Sequence, residues 1–374
     1  MKDQLENSLI NRENKKASSF EHFHKKVISE GNVTDGDEKK LIELYSKYHE
    51  REKISVAEEC FHFDNENCGG GIIHAHSIQE NGGLKTISEK EGNEFKVISF
   101  ERSINETLKI DTPISIATAS TFRGFCHTHD DVFSAIEKRK FDGSSEQLFL
   151  HSYRAFAQSY QRVKEKYDIY FNSISGLSNA LSGFLDVGEM NPNEDQLKAM
   201  NAEKYENHKT LLNEYLKNKD FDQLDYLTIE LEHISPIACS SWLTEHVIVN
   251  SNFLIEQSDL PYNGYPLMLT TVVPSRNSKT LVILARFKKD QATEIIFTRL
   301  KNAEQEKQEY FLSSWIFNRV DNIFISPKFW NNINDKLKQE ILNNINSKRV
   351  HFPEVSNFSS TINIFDKKYE IELA

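Results

Sequence analysis

Apolar positions fall three or four apart over 36–52, where Leu41, Leu44, Tyr45 and Tyr48 would line one face of a helix. The same period governs 144–218. Leu148, Tyr153, Phe156 and Tyr160 share a face in SEQLFLHSYRAFAQSYQRVKEKYDIYF, and a second long helix is predicted over 194–218. Beyond Asp220 the pattern changes to short apolar or alternating runs, DYLTIELEHI, HVIVNSNFLIE, LMLTTVVP and TLVILARF, punctuated by Pro, Asn and Gly. Such runs predict strands. Helical spacing returns over 290–317 and 328–346, and the closing STINIFDKKYEIELA predicts two short strands around Asp366 and Lys367. Upstream, strands are predicted from Ile72 to Ile78, over 95–101 and over 112–118, with a turn at Arg123-Gly124 and a helix from near His129. No internal repeat of solenoid period is visible. The expected fold class is α+β in four parts: a helical arm over 1–55, a metal-rich module over 56–142, a helical middle over 143–220 and a mixed C-terminal α+β domain over 221–374.

Composition limits the function classes. The chain has 374 residues, 38% of them hydrophobic and 27% charged, which is polar for a globular protein but not disordered. Lys plus Arg is 45 against 56 Asp plus Glu, a net charge of -11. A protein that coats nucleic acid without specificity needs a basic surplus to release counterions, so that class is set aside. No run approaches the ~18 apolar residues of a membrane span. The opening MKDQLENSLINRENKK has no apolar core of a signal peptide, so a cytoplasmic location without a membrane partner is expected.

Cysteine placement adds candidate chemistry. Of the four cysteines, Cys60, Cys68 and Cys126 cluster, whereas Cys239 stands in the apolar Ile237-Ala238-Cys239 and reads as a small core residue. Cys60-x7-Cys68, with Gly69, Gly70 and Gly71 forming a knuckle, pairs in type with Cys126-x2-His129. Two ligand pairs on turns suffice to hold one tetrahedral Zn²⁺. The first spacing is unusual, so His62 competes with Cys60 as a ligand.

The strings around these cysteines resemble a known module. His76 follows the knuckle on a short strand, and the Cys-x2-His pair precedes a helix, an order similar to the HNH, or ββα-metal, nucleases in their zinc-bound treble-clef form. Ala75-His76-Ser77-Ile78-Gln79, Ala119-Ser120-Thr121-Phe122-Arg123-Gly124-Phe125-Cys126 and His129-Asp130 look still more like a group of uncharacterised bacterial proteins. DNIFISPKFW, 321–330, extends that likeness beyond the nuclease-like segment 57–140. The resemblance implies a metal-dependent endonuclease. His76 would deprotonate the attacking water, His74 would assist from the same strand face, and Asp130 would bind a catalytic Mg²⁺ or Mn²⁺. A structural zinc would sit on Cys60, Cys68, Cys126 and His129. Two departures stand against it: Ala75 takes a place usually acidic or His, and the middle Asn has only Thr121 or Asn81 as weak counterparts.

Smaller features complete the reading. Arg102, Arg123, Lys138, Arg139, Lys140 and Arg154 are either a phosphate-binding surface or a solvated face. Asp130-Asp131 is either a metal pair or an ordinary acidic first helical turn. Trp242, Trp315 and Trp330 read as core or interface anchors rather than base-stacking platforms. No P-loop, dinucleotide turn or HExxH string is present. The leading expectation is an HNH-like endonuclease acting on nucleic acid, DNA ahead of RNA, with a C-terminal domain that senses a partner or activator. The Lys-, Asn- and Ile-rich composition associates it with bacterial anti-phage defence. The alternative is a zinc-stabilised interaction module without catalysis.

Overall fold

The structure is a computed structural model that describes residues 59–100, 112–181, 205–244, 267–275, 277–320, 322–347 and 362–371. The expected arm over 1–55, the helix over 36–52, Arg102 and the run HVIVNSNFLIE lie outside them. The chain divides into two compact units. One comprises 1–57, 102–109 and 162–203, of which the helical stretch 162–181 is described. The other, 58–101, 110–161 and 204–374, carries every remaining element.

In chain order the elements begin with β1 (Ile72–His76), the short helix α1 (Lys85–Ile87), β2 (Glu89–Glu91), β3 (Glu94–Ser99), β4 (Thr112–Ser115) and β5 (Thr121–Cys126). Helices α2 (His127–Asp130), α3 (Ser134–Glu137), α4 (Ser145–Leu181) and α5 (Glu206–Asn218) follow. Then come β6 (Leu224–Leu231), β7 (Ile237–Thr244), β8 (Leu267–Ser275), β9 (Lys279–Phe287), α6 (Gln291–Lys301), α7 (Gln305–Arg319), β10 (Ile323–Ile325), α8 (Pro327–Asn332) and α9 (Asp335–Ser347). The fold is mixed α+β.

Two sheets organise it. β1 and β5 form an antiparallel ribbon. The larger sheet has eight strands in the order β2-β3-β10-β7-β8-β9-β6, with β4 on β3. Its register ties distant segments: Ile98 of β3 stands opposite Ile325 of β10, which in turn stands opposite Ile237 of β7. Strands on both sides of the boundaries expected at 142 and 220 therefore pair in one sheet.

Burial explains the strand patterns. β8 is central and almost continuously buried, so its Leu, Met and Val residues need not alternate. β6 lies at the edge, where Leu227, Ile229 and Leu231 face the core while Thr228 and Glu230 face water. Cys239 is fully buried on β7 among Val272 and Ile323. Trp242, Trp315 and Trp330 are buried as expected. Each large apolar side chain removed from water contributes about 1.5–3 kcal/mol.

Four expectations change. IACSSWLT is strand β7, although its small polar residues conceal the alternation. The helical run 290–317 is two helices, α6 and α7, parted at 302–304. Arg123-Gly124 is no turn but lies inside β5, where the register shifts by one residue opposite β1. The described part of the closing stretch, 362–371, forms a turn and a short 3-10 helix instead of strands. There Ile362, Ile364 and Phe365 are all buried, no strand of either sheet pairs with the stretch, and Asp366 accepts the Lys368 N–H to cap the turn.

Candidate metal centre

Three short segments converge on the cysteines. Residues 59–61 run beside β5, where the Phe61 N–H donates to the Gly124 carbonyl at 2.7 Å. The knuckle turns through Gly70 at φ +74, a left-handed backbone that suits glycine. Gly69 lies against Thr128, so that a Cβ there would strike the Thr128 hydroxyl. Cys126 ends β5 and caps α2, its sulfur accepting the His129 N–H at 3.4 Å. One helical turn then carries His129 back over that sulfur. The Cys-x2-His spacing thus makes its own ligand pair.

The ligand atoms of Cys60, Cys68, Cys126 and His129 all lie within 4.8 Å of one another. His129 Nδ1 stands 3.4 Å from Cys60 Sγ, 3.7 Å from Cys68 Sγ and 3.3 Å from Cys126 Sγ. A tetrahedral zinc, with bonds of about 2.3 Å to sulfur and 2.0 Å to nitrogen, separates S from N by about 3.5 Å. The set fits one ion such as zinc in both geometry and softness. Cys60, Cys126 and His129 are buried, whereas Cys68 is exposed. Burial pushes the Cys60 thiol up. Burial also raises Cys126, but the His129 and Gly69 N–H groups and the neighbouring thiols outweigh it and leave that thiol lowered. A bound divalent ion would remove the need to protonate the crowded sulfurs.

The competition between Cys60 and His62 is resolved for Cys60. His62 lies flat on the ligand ring of His129, centroids 4.1 Å apart and planes 16° apart. Its Nδ1 accepts the Asp64 N–H at 3.2 Å. Burial, with like-charge repulsion from His129 second, pushes the His62 imidazole down to about 4. Behind the ribbon Phe61, Phe125, Phe133, Tyr153, Phe156 and Tyr160 form an aromatic core. Tyr153 donates to Asn213 at 2.7 Å, and Asn213 donates to the Phe61 carbonyl at 3.0 Å, which joins α4 and α5 to the knuckle.

His76 ends β1, and Asp130 ends α2. His76 Nε2 donates to the Ile116 carbonyl at 3.1 Å, with the Glu80 carboxylate at 4.0 Å. A carbonyl can only accept, so the neutral ring carries its proton on Nε2 and keeps the Nδ1 lone pair. Burial pushes the Asp130 carboxyl above its ordinary range, opposed by Arg154 and by the nearby His76 ring. Asp130 Oδ1 is buried and has no hydrogen-bond partner among the described residues. His74 is exposed on β1. Asp131 is not part of this group: its carboxylate accepts from Ser134 and stands 3.9 Å from Lys138. Of the weak Asn counterparts, Thr121 donates to the Thr118 carbonyl and Asn81 is exposed.

The motif strings also hold residues that sequence reasoning missed. Ser77 and Ser120 tie the two segments together, Ser77 Oγ donating to the Ser120 carbonyl and Ser120 Oγ to the Ile78 carbonyl, both at 3.1 Å. Ser120 adopts φ +60 to do so. Asn322 reaches in from the chain's far end, donating to Ser77 Oγ and the Ser240 carbonyl at 2.8 Å each. Glu80 was legible as a carboxylate one helical turn after His76, but Asn322 carried no local signal. Comparison of the chain with family models, with curated proteins and with solved structures finds no match to any of them. No helix among the described residues is long and apolar enough to cross a membrane.

Proposed function

We propose that the chain is a metal-dependent HNH-like endonuclease whose zinc-bound, treble-clef module cleaves a nucleic-acid phosphodiester, DNA ahead of RNA. The observation that carries the reading is the order β1, β5, α2 around one Cys3His cluster, with His76 on the first strand and Asp130 one residue beyond the last ligand. His76 acts as general base through Nδ1, its tautomer fixed by the Ile116 carbonyl. The buried, unpartnered Asp130 oxygen is a hard donor suited to Mg²⁺ or Mn²⁺. When bound, that ion would supply charge stabilisation at the phosphate. His74 assists from the same strand. The eight-stranded sheet serves a partner or activator, in keeping with a defence effector whose cleavage is switched on.

The test is cleavage of plasmid DNA and of RNA with Mg²⁺ or Mn²⁺. His76→Ala and Asp130→Ala should each lower the rate about 10²–10⁴-fold while zinc content stays unchanged. Full activity in both variants overturns the reading. A second reading, a zinc-stabilised interaction module without catalysis, draws on the middle Asn of the nuclease pattern, for which the chain offers only Thr121, whose hydroxyl donates to the Thr118 carbonyl, and the exposed Asn81.

A further inference from the structure

The ribbon has two unlike faces. Thr121 stands opposite His76, and the register shift sets Arg123 and Gly124 against His74. Side chains alternate along each strand, so His74, His76, Thr121 and Arg123 share one face. The other face carries Ala75 and Phe122, which are 2% and 4% exposed. The shared face is wetter: His74 is exposed, while His76, Thr121 and Arg123 are half-buried.

Arg123 differs from the other described arginines of this region. Arg139 pairs with Glu146, Arg154 with Glu137 and Lys138 with Asp131. Away from the ribbon, Arg286 pairs with Asp225 at 2.6 Å. Arg123 has no ion pair or hydrogen bond among the described residues, and its Nε is closed off from solvent without a partner. A guanidinium held partly out of water without an acceptor costs stability, and its planar donors suit a phosphate or carboxylate oxygen. Neither strand of the ribbon carries a carboxylate that could be that acceptor.

We propose that Arg123 is a phosphate-binding residue, its guanidinium receiving a nonbridging oxygen of a nucleic-acid strand beside His76. The identity of the ligand rests on the nuclease reading of the same face. The guanidinium binds in ground state and transition state alike. Its loss therefore weakens binding, whereas loss of His76 removes the base.

Binding of a fluorescein-labelled duplex DNA and of a labelled single-stranded RNA to the full zinc-loaded chain tests this, without added Mg²⁺ or Mn²⁺ and over a salt series. Arg123→Met should weaken binding about tenfold and lower the slope of log affinity against log salt by about one. Arg123→Lys should lose less, and His76→Ala should bind within about twofold of wild type. The melting temperature of Arg123→Met should equal or exceed that of wild type, because an unpartnered cation is removed. Unchanged affinity and slope in Arg123→Met, or failure of wild type to bind either probe, overturns the proposal. So does a fall in melting temperature that accompanies the lost affinity, which would make Arg123 a structural support. If cleavage survives His76→Ala while the Arg123 effect on binding persists, the catalytic reading fails and the phosphate site stands.

Discussion

The ribbon and the eight-stranded sheet solve the problem of stability differently. The sheet is held by one hydrophobic cluster that runs from Ile98 through Cys239, Val272 and Leu284 to Phe324. Helices α6 to α9 complete that core with Phe297, Trp315, Phe329 and Ile341. The ribbon has only two strands, too few to be stable in water alone. It packs on the aromatic core around Phe61, Phe125 and Tyr153, beside four side chains whose ligand atoms could hold one metal ion. The lesson is that the candidate site sits where stability is borrowed. Polar residues such as His76 and Arg123 can occupy the ribbon because the aromatic core, not its exposed face, holds it.

Removing the metal should separate the two regions most sharply. In Cys126→Ser, zinc content should fall from about one per chain to nearly none, as for a single four-ligand site. Amide exchange should then rise over β1 and β5 and stay slow over β8 and β9. Equal loss of protection in both regions would mean that they are one cooperative unit. Next in size are core truncations. Phe125→Ala should cost about 3–5 kcal/mol and Leu284→Ala about 2–5 kcal/mol by denaturant unfolding. Only the former should also weaken zinc binding in a chelator competition, because Phe125 adjoins Cys126.

His208 joins the two regions, its ring 4.8 Å from Phe287 of β9 and 6.3 Å from Phe156 of the aromatic core. Burial draws its imidazole from 6.5 down to about 3, so the folded chain keeps it neutral where the unfolded chain takes up a proton. Its contribution is therefore complete above pH 6.5 and is lost as pH falls toward 3. Between pH 6.5 and 4.5 the loss should reach about 2–3 kcal/mol, and His208→Phe should lose less over the same range by thermal melting. The smallest effect belongs to the lock between the regions. Ser77→Ala removes one Asn322 acceptor and should cost about 1 kcal/mol, read as a small shift in denaturant midpoint.

Local chemistry was legible in the sequence because its signals are short. Cys126 and His129 are one helical turn apart, so their spacing alone brings sulfur and imidazole together. The helical period of α4 and α5 and the apolar runs of β6, β8 and β9 needed no distant information. Cys239 and the three tryptophans were readable as core from their type and setting.

What the sequence could not decide was which distant segments meet. The choice of Cys60 over His62 depends on the path that presses Phe61 against Gly124. The pairing of β3 with β10 joins residues near opposite ends of the chain, and strand pairing is set by packing and register instead of local preference. The same holds for Arg123. As a letter it was one basic residue among six, and its neighbours in sequence gave no reason to single it out. Only the register of β1 against β5, and the carboxylate partners that the other arginines find, leave it unpaired beside His76. Spacing along the chain determined the metal ligands near Cys126, and the non-local contacts of the folded chain decided what stands around them.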